Sequence, residues 1–129
     1  NEDIVENFSD DKTNNKDQKI DDRIKELGEF EMTAYTSDCK GCIGITKTGY
    51  DVRNTIYYDD GSRIVAVDPN VIELHSRLRI TMPNGEVIEA IALDTGGAIK
   101  GRRLDLLVEN REKARVEVGR KRVKVELIK

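Results

Sequence analysis

The chain has 129 residues, enough for one domain of ordinary size. Hydrophobic residues make up 37% and charged ones 36%, so a modest core lies beneath a charged surface, and a net charge of −3 gives no general attraction for polyanions and disfavours nucleic acid as a partner. No apolar run approaches the roughly 20 residues of a membrane-spanning helix, and the first residues lack the basic-then-apolar pattern of a secretory signal; any such signal is expected to have been removed or to lie outside this sequence.

The first 22 residues hold Glu2, Asp3, Glu6, Asp10, Asp11, Asp17, Asp21 and Asp22 against only Lys12, Lys16 and Lys19, which reads as an acidic linker or tail over residues 1–28. Ile20, Ile24 and Leu27 have helical spacing and predict a short lead-in helix over 20–27. Beyond Gly28, over residues 29–129, the periodicity becomes mostly two-residue, with β-branched runs separated by Gly, Pro, Asn and Asp. Strands are predicted at 30–36, 63–67, 77–81, 87–93, 104–108 and 122–128. Asp60-Gly61 and Asn84-Gly85 mark hairpin turns, and Pro69 should end the strand before it. Ala114 and Val118 share a face of one short helix over 110–118, stopped by Gly119. The plan is mainly β, a small barrel with one short helix. Residues 102–129 carry ten Lys or Arg, read as solvated strand faces, with attraction to an anionic polymer as the functional alternative.

The most informative stretch runs from Leu93 to Asp105. Asp94 leaves an apolar strand into Gly96-Gly97, which predicts a partly desolvated carboxylate beside backbone that permits close approach. Asp105 lies inside a second apolar strand, where alternation points Leu104, Leu106 and Val108 one way and leaves Asp105 facing with Arg103 and Leu107. A lone Asp is usually a solvated or turn-capping residue. Two apolar-flanked ones bracketing a Gly-Gly turn and an Arg point to a site.

This pattern resembles the three-aspartate (3D) domain family of bacterial and phage wall-associated proteins, related to the barrel of the membrane-bound lytic transglycosylase A enzymes. The resemblance runs through Thr33-Ala34-Tyr35-Thr36, Gly41 to Gly49, Ala66-Val67-Asp68-Pro69, Asp94 to Gly101, Leu104-Asp105 and Gly119-Arg120. It departs at Ile72-Glu73-Leu74-His75-Ser76, where the family usually reads Ile-Pro-Leu-Gly-Ser. The resemblance implies a double-psi β-barrel and cleavage of the β-1,4 bond between N-acetylmuramic acid and N-acetylglucosamine of peptidoglycan, leaving a 1,6-anhydro end, with no metal or cofactor. It implies Asp105 as the acid/base, Asp94 as the group that raises its partner's pKa or stabilises the oxocarbenium-like charge, and Asp68 as an orienting residue. Thr33, Tyr35 and Thr46 are the expected substrate-binding residues. Lys100 and Arg102 read first as surface charge and second as partners for peptide-stem carboxylates. The implied location is secreted or wall-associated, and the alternative function is a wall-binding or phage structural module without turnover.

Other motifs carry less. Asp94-Thr95-Gly96 is also the signature of aspartic proteases, but those enzymes pair two copies and this chain has one. Cys39 and Cys42 form a C-x-x-C pair open to redox chemistry, half a zinc site or a local disulfide; their Gly-rich loop favours a disulfide or two thiols. A closed zinc site lacks further ligands, since His75 is the only histidine and there is no third cysteine. Tyr35, Tyr50, Tyr57 and Tyr58 read equally as sugar-stacking rings and as core.

Overall fold

The structure, a computed structural model, describes residues 23–38 and 43–129. Six strands, β1 (Ile24–Tyr35), β2 (Arg63–Ala66), β3 (Arg77–Thr81), β4 (Val87–Asp94), β5 (Arg103–Leu107) and β6 (Lys121–Ile128), close into a barrel in the order β1-β5-β2-β4-β3-β6. The β1–β5 and β2–β4 pairs are parallel and the other contacts antiparallel, the crossed arrangement of a double-psi barrel. Between β5 and β6, a single helical turn α1 (Arg111–Lys113) runs on into a π-helical turn over Ala114–Val118.

Alternation in the sequence becomes inside and outside here. Leu78 and Ile80 of β3, Leu104 and Leu106 of β5 and Val123 and Val125 of β6 fill the barrel, each at most 2% exposed, with Phe30, Met32 and Val65. Each such side chain contributes about 1.5–3 kcal/mol by leaving water. A second cluster lies on the outer face. There Ile64, Ile91, Leu93 and Leu107 are roofed by Val52 and Ile56 of the segment between β1 and β2.

The predicted turns share one chemistry. In the β3–β4 turn the Gly85 amide donates to the Met82 carbonyl and the Asn84 side chain accepts from the Glu86 amide; Gly61 donates to Tyr58 and Asp60 accepts from Ser62 in the same way. Both glycines have φ near 90°, the left-handed geometry the dipeptides foretold. Asn110 caps α1 by accepting from the Lys113 amide at 2.9 Å, and the Gly119 amide closes the π-turn on the Ala114 carbonyl at 2.7 Å.

The predicted lead-in helix is corrected in its described part. Residues 24–27 belong to β1 and pair with β6, Ile24 with Ile128 and Lys25 with Leu127, so the sheet crosses the boundary expected at Gly28. The register shifts between Glu26 and Gly28, where Gly28 has a φ of 93°. One extra residue in a strand turns a two-residue apolar repeat into a three-residue one, and Leu27 and Phe30 both reach the barrel core across it. Residues 1–22, with the acidic tail, and Cys39 and Cys42 lie outside the described residues.

Candidate functional site

Four neighbouring strands line up one residue each. Thr33 of β1 pairs with Asp105 of β5, Asp105 with Ala66 of β2, and Ala66 with Asp94 of β4. Directly opposed residues point to the same side of a sheet, so all four share the outer face. Asp105 gets there by simple alternation, opposite to Leu104 and Leu106. Asp94 does not, because alternation from the inward Ala90 and Ala92 would aim it into the core. The β2–β4 register shifts between Val65 and Ala66, so that Val65 meets Ala92 but Ala66 meets Asp94, and the extra residue turns Asp94 outward. The two aspartate backbones lie about two strand spacings, roughly 10 Å, apart. Only the methyl group of Ala66 lies between them in that row.

Asp105 is partly buried, and its carboxyl is held above the usual carboxylate range. Burial is the main cause and the charge of Asp94 adds to it, while the Thr33 hydroxyl, donating to Oδ1 at 2.9 Å, and the charge of Arg103 oppose it. Asp94 instead is well solvated by protein donors: the amides of Lys47 and Thr95 reach Oδ1 at 2.9 Å each, and the Tyr35 hydroxyl donates to Oδ2 at 3.1 Å. Burial, then Asp94, push the Tyr35 hydroxyl far up, so it remains a donor at any physiological pH. The arrangement therefore holds one carboxyl biased toward its neutral form and, in the same row, a second one fixed by three donors.

Asp68 is buried at 7% exposure and stands apart from that row. Its Oδ2 accepts from the Gly101 amide at 2.8 Å and its Oδ1 from the Asn70 amide at 3.0 Å, pinning the loop between β4 and β5 to the turn after β2. Those two amides, the Gly101 bond foremost, hold its carboxyl below the ordinary range. Lys100 is exposed and its charge acts on Asp68. Thr46 is 4% exposed, with its hydroxyl against Thr48 and the Tyr50 amide, so it builds the turn behind Lys47. Arg102 is exposed, in keeping with its first reading as surface charge. Its guanidinium donates to the Leu27 carbonyl at 2.5 Å and lies over the Phe30 ring, seated against the Gly28 bulge.

The charged groups next to that row on the outer face include Glu31, two residues before Thr33, its partner Arg103, and Arg120. Strand alternation from Asp105 already assigned Arg103 to this face; Arg120 entered only as part of the Gly119-Arg120 motif, with no role, and Glu31 carried no signal in the sequence. Beside Asp94, a pocket of about 170 Å³ is lined by Tyr35, Ile43, Ile45, Val52 and Thr95. Ile43 is 76% exposed at its mouth.

The family model of the 3D domain matches residues 63–129, just over half of the chain and the part that supplies all three aspartates. The chain belongs to the 3D domain family. Similar to it are the SPbeta prophage-derived uncharacterized protein YorM of Bacillus subtilis, 49% identical over 98 residues, covering 75% of this chain and 40% of that protein, and the cell wall-binding protein YocH of the same organism, 40% identical over 82 residues, covering 64% and 26%. This 3D domain chain thus spans well under half the length of these relatives. Among solved structures, the E. coli lytic transglycosylase MltA matches with a TM-score of 0.50 at 21% identity, covering 66% of this chain and 27% of that one. The Clavibacter michiganensis expansin matches at 0.55 and 16%, covering 79% and 50%. At these identities the likeness is one of fold.

Proposed function

We propose that this 3D domain acts on bacterial cell wall as a lytic transglycosylase, with Asp105 as its acid and base. The observation that carries the reading is the Asp105 carboxyl, half buried on the outer face of the barrel and biased toward its protonated form, with Asp94 in the same row. A glycosidase that uses water needs two carboxyls at a set separation. Intramolecular transfer needs one. Protonated Asp105 gives its proton to the glycosidic oxygen as the C1–O bond breaks; the C6 hydroxyl of the same muramic acid attacks C1, and the Asp105 carboxylate takes the hydroxyl proton. No water is consumed and the acid is regenerated. Asp94, held by Tyr35 and two amides, faces the positive charge that develops at C1. Asp68 acts at one remove, holding the loop that links the two aspartate strands.

The substrate is then the MurNAc-β-1,4-GlcNAc bond of peptidoglycan, and the protein works outside the cytoplasm, secreted or attached to the wall. Digestion of purified peptidoglycan, with products weighed by mass spectrometry beside an Asp105→Asn control, tests this. Anhydro-muropeptides from the wild type alone are expected; products with reducing ends overturn the transglycosylase step. The second reading, a wall-binding module without turnover, is favoured by the likeness to the cell wall-binding protein YocH. Retention on wall with no product from the wild type would establish it.

A further inference from the structure

Three arginines crowd one carboxylate beside the proposed acid. Glu31 of β1 accepts from Arg120 at 2.5 Å and lies 3.5 Å from the Nε of Arg103, and its carboxyl is held low, chiefly by the Arg120 hydrogen bond, with the charges of Arg120, Arg103 and Arg122 adding. Arg122 also approaches Glu29 at 3.9 Å, so this end of the face holds three arginines to two glutamates. Arg103 has one further fixed partner, the Ala98 carbonyl at 3.2 Å. A guanidinium carries more N–H donors than these contacts use, in a fork that matches a carboxylate. The position matters as much as the charge. Glu31 and Arg103 are opposed across β1 and β5, and Thr33 and Asp105 are opposed two residues further along the same strands. Arg103 therefore stands about 7 Å from Asp105 along the outer face, and Arg120 joins it through their shared partner Glu31.

We infer that Arg103 and Arg120 form a carboxylate-binding subsite that takes an acidic group carried by the glycan next to the bond being cleaved, Glu31 holding the two arginines in place until it arrives. This rests on the proposed reading of the face as a glycan site, and it assigns to Arg103 and Arg120 the role that the sequence suggested for Lys100 and Arg102. Glu31 and Arg103 are each about one-third exposed and Arg120 63% exposed, so the existing ion pairs are solvent-screened and readily exchanged. A ligand carboxylate on the same fork replaces Glu31 with little loss. Muramic acid supplies such groups, either as its own lactyl carboxylate or through the acidic residues of its peptide; a neutral N-acetylglucosamine polymer does not.

The test separates binding from turnover. Asp105→Asn protein, unable to cleave under the proposed mechanism, is sedimented with purified peptidoglycan freed of other anionic polymers, and with the same material after its carboxyls have been converted to amides. Retention on the untreated wall is expected to be a fewfold tighter, the ratio that an exposed ion pair of up to about 1 kcal/mol sustains, and to weaken with salt. Adding Arg103→Gln and Arg120→Gln should bring untreated wall down to the amidated level and leave the amidated level unchanged, in a protein whose melting curve shows it folded. Equal retention on both walls, or an equal loss on both, overturns the subsite. Should wild-type protein release no products while the carboxylate preference stands, the subsite holds and the transglycosylase reading falls.

Discussion

Replacing Thr33 by Val tests how the acid is tuned. Val has the same branched outline and favours strands, so β1 keeps its pairing with β5 while Asp105 loses the hydroxyl that donates to Oδ1 at 2.9 Å. That bond favours the ionised carboxyl, and a hydrogen bond to a charged group contributes about 1.5–3 kcal/mol net. Partial access to water at Asp105 points to the lower end. About 1.5 kcal/mol multiplies the ratio of protonated to ionised Asp105 at a given pH by roughly ten. Carbon-detected NMR of the Asp105 carboxyl across a pH series should therefore show Thr33→Val titrating at higher pH than wild type, and Thr33→Ser titrating as wild type does. Asp94→Asn should shift it the other way, since the Asp94 charge raises the Asp105 pKa. A Thr33→Val midpoint that stays put or falls would mean that the Thr33 hydroxyl does not hold the Asp105 pKa down.

Asp105 and Asp68 should affect stability with opposite signs. The Asp105 pKa is raised in the fold, so the stability tied to it is complete below the unfolded pKa and is lost as pH rises through the folded one. Asp105→Asn should then melt above wild type at neutral pH, the gap closing in acid; a lower midpoint at neutral pH counts against a destabilised, functional carboxyl. Asp68 is depressed, and what it contributes is present above the unfolded pKa and lost as pH falls through the folded one. Asp68→Asn should melt below wild type at neutral pH and converge on it in acid, and an unchanged neutral-pH midpoint would show that its two amide bonds do not hold the loop. His75 has a φ of 76° where the family usually has glycine. His75→Gly should relieve about 1–2 kcal/mol of left-handed strain against about 0.4–1 kcal/mol of added chain entropy, a net gain of about 0.8 kcal/mol or a few degrees in Tm. A drop in Tm would mean that the imidazole makes contacts worth more than the strain.

The strands were legible because each carries its own two-residue pattern, and Asp105 fell on the correct face for that reason. What sequence periodicity missed came from pairing between strands. The outward turn of Asp94 depends on a bulge between β2 and β4, and the strand character of residues 24–27 depends on β6 and the Gly28 bulge. Both are properties of two strands together. Arg102 and Arg103 differ only in that β5 begins at Arg103; one residue outside the alternation, Arg102 turns back onto Phe30. The Arg120–Glu31 pair joins residues 89 positions apart, with no local pattern to announce it. Thr46 was chosen by resemblance, and its burial comes from a turn whose outer side faces Leu93 through Thr48.

In the proposed reaction Asp105 transfers a proton while the sugar's own hydroxyl takes the place of water. Digesting peptidoglycan in heavy-oxygen water, with wild-type and Asp105→Asn protein side by side, tests it most directly. Wild-type protein should release anhydro-muropeptides that carry no heavy oxygen, and the variant none. Heavy oxygen at the new chain ends, or undiminished product from a folded Asp105→Asn protein, would contradict it.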